Sequence, residues 1–231
     1  MASEQRSPTK LPAHGQSSLD VLKRLDDLRN DDVRWRDGRA FSLAYFAGAE
    51  VQALAEDAYK RCAGDNALNT AAFPSLRRMQ AEVLDFASLW LGADSNSAGY
   101  FTSGGTESIL MALKAARDQF AQDRGVSKPN VVLPSSAHAA FAKAGAYFGI
   151  ELRRTAVKPD WRADVEAMRM AIDENTIMVA CSAPQYPQGV IDDVPAVAAL
   201  ALEMGINCHV DACMGGVTLA YLEKLGHAIQ P

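Results

Sequence analysis

Up to Leu91 the apolar positions recur at helical spacing, and past Gly105 short β-rich runs alternate with helical stretches. Leu19, Leu22, Leu25 and Leu28 fall on one face of a short amphipathic helix. Val51, Leu54, Ala55, Ala58 and Tyr59 predict a second, and Pro74 suits the first position of a longer one running through Leu91. Arg34-Trp35-Arg36-Asp37-Gly38-Arg39 between the first two reads as a charged loop. Ile109-Leu110-Met111-Ala112-Leu113-Lys114-Ala115-Ala116 is rich in good helix formers. Beyond it, residues 131–133, 150–155, 177–182 and 206–210 read as strands, and 137–148, 162–172 and 194–204 as helices. Such alternation predicts an α/β fold, a mainly parallel sheet with helices on both faces.

Composition narrows the function classes. The 231 residues suit one or two domains, and 48% hydrophobic with 22% charged content is that of a soluble globular protein. A formal net charge of −5 leaves no basic footprint for nucleic acid. No apolar run reaches the length of a membrane span. Residues 1–16 are polar, without the apolar core of a signal peptide or anchor, and read as a disordered tail. Residues 17–74 are expected to form an N-terminal helical arm packed on a main domain, residues 75–231. Cys62, Cys181, Cys208 and Cys213 show no Cys-x-x-Cys spacing, which fits a reducing cytoplasm. His209 and Asp211 share a strand face, but with four histidines in the chain and no further ligand cluster, no metal is expected.

The candidate chemistry lies in three segments. Tyr100-Phe101-Thr102-Ser103-Gly104-Gly105-Thr106-Glu107-Ser108 puts two glycines and several hydroxyls where a loop gives way to a helix. The helix mouth has N–H groups without partners and a partial positive charge, a ready site for phosphate, with the Ser103 and Thr106 hydroxyls as further donors. The plainer alternative is a Gly-containing loop with an ordinary N-cap. Ile206-Asn207-Cys208-His209-Val210-Asp211 reads as a buried strand ending in a carboxylate, where open α/β sheets bind ligands. Leu133-Pro134-Ser135-Ser136-Ala137-His138 places an imidazole between a strand end and a helix start. Phosphate cradle, imidazole and strand-end carboxylate suit pyridoxal 5'-phosphate: the carboxylate keeps the pyridine nitrogen protonated and the imidazole stacks on the ring. An ordinary loop histidine and a turn or cap aspartate are the alternatives at His138 and Asp211. Ser182 and Gln185 end a buried strand and could contact cofactor or substrate, or serve a turn before Pro187. No Gly-x-Ser-x-Gly, Gly-x-x-x-x-Gly-Lys-Ser/Thr or Gly-x-Gly-x-x-Gly motif is present.

The segments Thr102-Ser103-Gly104-Gly105-Thr106-Glu107-Ser108, Ser136-Ala137-His138-Ala139-Ala140-Phe141 and His209-Val210-Asp211-Ala212-Cys213 resemble the motif set of the sphingosine-1-phosphate lyases. These belong to the fold-type I pyridoxal-phosphate-dependent decarboxylase group. Phe73-Pro74-Ser75-Leu76-Arg77-Arg78-Met79 and Ser182-Ala183-Pro184-Gln185-Tyr186-Pro187-Gln188-Gly189-Val190-Ile191-Asp192 are similar to two more of its segments. The likeness runs from about Asp31 to the last residue. It implies that residues 75–231 are part of a fold-type I pyridoxal-phosphate-binding large domain. It also implies that Ser103, Gly104, Gly105, Thr106, His138, Ser182 and Asp211 meet the cofactor, His138 and Asp211 as catalytic residues.

For the substrate, the resemblance points to Tyr45 in Ser42-Leu43-Ala44-Tyr45 and to Asn69 in Asn66-Ala67-Leu68-Asn69. Asn69 stands where several lyases carry histidine, and a turn asparagine is the slightly favoured alternative. The family's Schiff-base lysine lies in an Asp-x-His-Lys type segment, and none occurs here; Lys224 reads as a solvated helix lysine. The chain thus looks like the amino-terminal part of a longer enzyme, incomplete for catalysis by itself. The implied activity is cleavage of a phosphorylated long-chain base to fatty aldehyde and phosphoethanolamine by a cytoplasmic homodimer. An amino-acid decarboxylase acting on another small amine substrate and a catalytically incomplete fragment are the alternatives.

Overall fold

Ser17 caps the first helix, α1 (Ser18–Leu28), its hydroxyl oxygen accepting the Asp20 N–H at 3.1 Å. The computed structural model describes residues 11–40 and 45–228, so the first ten residues of the expected tail and Ser42-Leu43-Ala44 lie outside the described residues. The chain divides into two units between Asn66 and Ala67. In the first, Leu19, Leu22, Leu25 and Leu28 do line one side of α1 and are exposed. The expected charged loop is a 3-10 turn, Trp35–Asp37, closed by Gly38 in the left-handed region. Arg36 lies over the Trp35 ring at 4.7 Å and reaches Glu56 of α2 (Ala49–Cys62) at 3.3 Å.

The second unit carries α3 (Pro74–Trp90), opened by Pro74 as expected, and then α4 (Gly105–Arg124). The remaining elements alternate: β1 (Asn130–Pro134), α5 (Ala139–Phe148), β2 (Glu151–Thr155), α6 (Val165–Ala171), β3 (Thr176–Ser182), α7 (Val194–Met204), β4 (Asn207–Asp211) and α8 (Thr218–Leu222). The strands form one parallel sheet in the order β2-β1-β3-β4. Alternation along β1 and β3 sends successive side chains to opposite faces. Val131, Leu133, Met178 and Ala180 pack under α4 and α5 with Leu113 and Phe141. Val132, Val179 and Cys181 pack under α6 and α7 with Met168, Val197 and Leu200. Each fully buried Leu or Phe contributes on the order of 1.5–3 kcal/mol of hydrophobic stabilisation.

The helix expected at 162–172 begins later, at Val165. Its true N-cap is Asp164, whose carboxylate accepts the Glu166 and Ala167 N–H groups at 3.1 Å. The residues before it belong to a turn closed by an antiparallel bridge between Val157 and Ala163. Among the described residues no helix is long and apolar enough to cross a membrane.

Candidate active site

After β1 the chain turns into α5 on one face of the sheet, and after β3 into α7 on the other. Neighbouring strands therefore part at their carboxyl ends, the place where open α/β sheets form a ligand crevice. His138 follows β1, Ser182 ends β3 and Asp211 ends β4 beside it, with Ser182 and Asp211 in register. The mouth of α4 closes the fourth side. A cavity of about 240 Å³ is lined by Gly105, Thr106, His138, Ser182, Tyr186 and Asp211.

Close approach explains the glycine at the mouth. A Cβ on Gly105 would stand 2.7 Å from Cys213 Sγ, so the turn after β4 rests on the first residue of α4. A Cβ on Gly215 would collide with the Ala183 carbonyl oxygen, which ties the same turn to the loop after β3. Helix geometry leaves the first N–H groups of α4 without carbonyl partners in the helix. The Glu107 carboxylate reaches back instead, accepting the Ser103 N–H at 2.6 Å. Hydrogen bonds from the Ser103 hydroxyl and N–H hold the Glu107 carboxyl below its ordinary range. Ser103 thus sits with Glu107 rather than among the lining residues, and Gly104 lines a neighbouring groove of about 540 Å³ that also touches Asp211.

His138 is the N-cap of α5: Nδ1 accepts the Ala140 N–H at 3.1 Å. In neutral imidazole that leaves the ring proton on Nε2. The Asp211 carboxylate accepts the Cys213 N–H at 3.1 Å, so the turn role open in the sequence is filled by one oxygen only. His209 Nε2 is buried without a partner among the described residues, its ring edge-on to Phe141 at 5.8 Å. Burial pushes that imidazole down towards the neutral form, against the pull of Asp211. No group of three or more His, Cys, Asp or Glu that could hold a metal is found among the described residues.

Asp192 has a part that sequence reasoning missed. Fully buried, it accepts the Ser182 N–H at 2.8 Å and the Ala163 N–H at 2.7 Å, fixing the end of β3 to the entry of α6. Burial raises its pKa, and those two N–H groups act the other way. Tyr186, Cys213 and Met214 in the cavity wall were likewise not singled out as site residues. Only the Ser103–Glu107 pair had a readable signal, a hydroxyl residue one turn before an acid.

Asn69 ends a 3-10 turn, Ala67–Asn69, and its side-chain Oδ1 accepts the Ala71 and Ala72 N–H groups at 3.1 and 3.4 Å. It is not among the residues lining the cavity. Tyr45 lies in the first unit and is exposed. Pyridoxal 5'-phosphate suits the residues that do converge. They offer a helix mouth with donors for a phosphate, a carboxylate at a strand end for a ring nitrogen, and a fixed imidazole between the two.

Residues 2–223 match the model of the pyridoxal-dependent decarboxylase conserved domain. The chain is 44% identical over 220 residues to sphingosine-1-phosphate lyase 1 of Rattus norvegicus, covering 95% of this chain and 39% of that protein. It superposes on the sphingosine-1-phosphate lyase of Burkholderia pseudomallei with a TM-score of 0.90 at 33% identity, covering 99% of this chain and 54% of that one. Glutamate decarboxylase of Lactobacillus brevis shares the fold, with a TM-score of 0.78 at 20% identity over 96% of this chain and 54% of that one. The chain therefore spans less than two thirds of the length of these relatives. With its parallel sheet, covered on both faces, and a cavity of this chemistry at the strand ends, the chain belongs to the pyridoxal-dependent decarboxylase family, whose cofactor is pyridoxal 5'-phosphate.

Proposed function

We propose that the protein carrying this chain is a lyase that splits a phosphorylated long-chain base into a fatty aldehyde and phosphoethanolamine. The observation that carries this reading is the convergence of Thr106, His138, Ser182 and Asp211 on one cavity, in a chain whose relatives include such lyases. Pyridoxal phosphate supplies the electron sink for the pair left behind when the carbon–carbon bond breaks. The chain's own residues bind and orient. The N–H groups of Gly105 and Thr106, with the Thr106 hydroxyl and the helix charge, take the phosphate. Gly104 and Ser103 shape the approach, the Ser103 N–H holding the Glu107 carboxylate back against the loop before α4.

Asp211 holds a proton on the ring nitrogen through the oxygen not used by Cys213. His138, fixed by its cap bond to Ala140, would offer its imidazole to the bound ring, and the Ser182 hydroxyl would offer a further donor. Asn69 is part of the proposal as a substrate contact, through the amide NH₂ that its turn leaves available. The described cysteines are free, in keeping with a reducing cytoplasm, and a homodimer completes the reading.

The family's decarboxylases favour a second reading, in which the bond broken leads to a carboxyl group. One experiment separates them. Full-length protein loaded with pyridoxal phosphate is given a phosphorylated long-chain base and, separately, a panel of amino acids. Fatty aldehyde from the base is the expected result. Carbon dioxide from an amino acid without aldehyde supports the second reading, and no aldehyde with cofactor bound rejects the first.

A further inference from the structure

A second cavity, of about 320 Å³, opens beside the first and shares His138 and Tyr186 with it. No Lys, Arg, Asp or Glu lines it; Trp161, Tyr186, Pro187 and Val157 form its apolar side, and Ser135, Ser136 and Gln188 its polar one. The Ser136 hydroxyl in its wall is buried without a hydrogen-bond partner among the described residues.

Trp161 is there at a conformational cost. Its φ of +70° makes it the single non-glycine residue with positive φ among the described residues. The local turn demands that angle. Lys158 N–H donates to the Arg162 carbonyl at 2.8 Å and Trp161 N–H to the Lys158 carbonyl at 2.9 Å, while the Asp160 carboxylate accepts the Arg162 N–H at 3.1 Å. Pro159 takes the position its ring prefers, and the left-handed residue that follows such a turn in a hairpin is ordinarily glycine. A bulky aromatic at that place is a true outlier. Strain of this kind clusters at ligand sites, because the surrounding structure must hold it. Here the indole, 52% exposed, stands in the wall of a cavity adjoining the candidate active site.

We propose that this second cavity is the subsite for an extended hydrocarbon arm of the amine substrate, and that Trp161 sets how much of that arm is held. The proposal rests on the first cavity being the cofactor site, since the shared His138–Tyr186 wall is what joins the arm to the reacting end.

The test uses the full-length protein with n-butyl-, n-hexyl- and n-octylamine as probes, read by titration calorimetry. Pyridoxal phosphate binding is followed by absorbance in parallel. Affinity is expected to rise about three- to fourfold per added methylene in the wild type. Trp161→Gly suits the turn, so its Tm should hold or rise while the increment falls below about twofold. Cofactor binding should stay normal in both. An increment absent from the wild type, or undiminished in Trp161→Gly, overturns the subsite while leaving the cofactor site standing. A lowered Tm in Trp161→Gly makes the ring a structural prop and also overturns it. A Trp161-dependent increment with no cofactor binding keeps the subsite and rejects the cofactor reading instead.

Discussion

Gly105→Ala should destabilise this chain because of one sulfur atom. Gly105 opens α4 without a positive φ, so the backbone accepts alanine and helix propensity favours it by about 0.5–1 kcal/mol. The new Cβ would stand 2.7 Å from Cys213 Sγ, well inside the roughly 3.5–4.0 Å optimum of such contacts, and 3.4 Å from Cys213 Cβ. Relief requires the turn after β4 to move, and that turn is held between Gly105 and Ala183. Overpacking of this sort costs about 1–3 kcal/mol, so the net loss should be about 0.5–2 kcal/mol. In a Cys213→Ala background the sulfur is gone and the remaining contact is ordinary. The same Gly105→Ala change should then be neutral or slightly stabilising. Urea unfolding of the four proteins closes a double-mutant cycle with an expected coupling of about 1–2.5 kcal/mol. Equal losses in both backgrounds would refute the close packing of the two segments.

Asp211→Asn keeps an oxygen for the Cys213 N–H but loses the charge, so stability should hold while cofactor affinity falls about 10- to 100-fold in an absorbance titration. An unchanged affinity and spectrum would remove Asp211 from the ring nitrogen. His138→Ala forfeits the α5 cap and about 1 kcal/mol, whereas His138→Asn can restore the cap; both should alter the cofactor's absorption band alike. If Asn restores the band as well as the stability, the ring does not stack. Asp173 offers a pH test. Burial would raise its pKa, yet Asn130, Arg153 and the Asn175 N–H outweigh that and hold it at about 2 against 3.8 unfolded. A depressed carboxyl stabilises above its unfolded pKa, and that contribution is lost as pH falls from about 4 towards 2. The shift corresponds to at most about 2.5 kcal/mol, nearer 1 for a side chain 29% exposed. Asp173→Asn should flatten that acid limb, and an unaltered pH profile would show that the contacts carry no stability.

The strands and helices of the second unit could be read from periodicity because each is decided locally, by which face its apolar residues share. Val131 and Leu133 against Val132 show that alternation directly. Tertiary contacts were beyond reach. Asp192 looks like one more loop acid until folding brings Ser182 and Ala163 to it, and nothing in its neighbours encodes that meeting. The contact of Cys213 with Gly105 is equally remote in the chain. α6 starts later than the helical pattern from Arg162 suggests, because hydrogen bonding between Lys158 and Arg162 closes a turn there. Gly105, Thr106, His138, Ser182 and Asp211 were legible together only as a set of motifs, and their convergence is a property of the crossovers, not of any one segment.

The cavity is walled by strands of unequal stiffness. Every residue of β1 and β3 is buried, whereas β4 is only partly covered and, among the described residues, pairs on one side alone. Amide protons behind His138 and Ser182 should exchange only on global unfolding, and those of residues 207–211 through local fraying. In this 231-residue chain a ligand bridging Thr106 and Asp211 would therefore also quiet β4. Slower amide exchange there on loading would record the entropy of ordering as part of the cofactor's affinity.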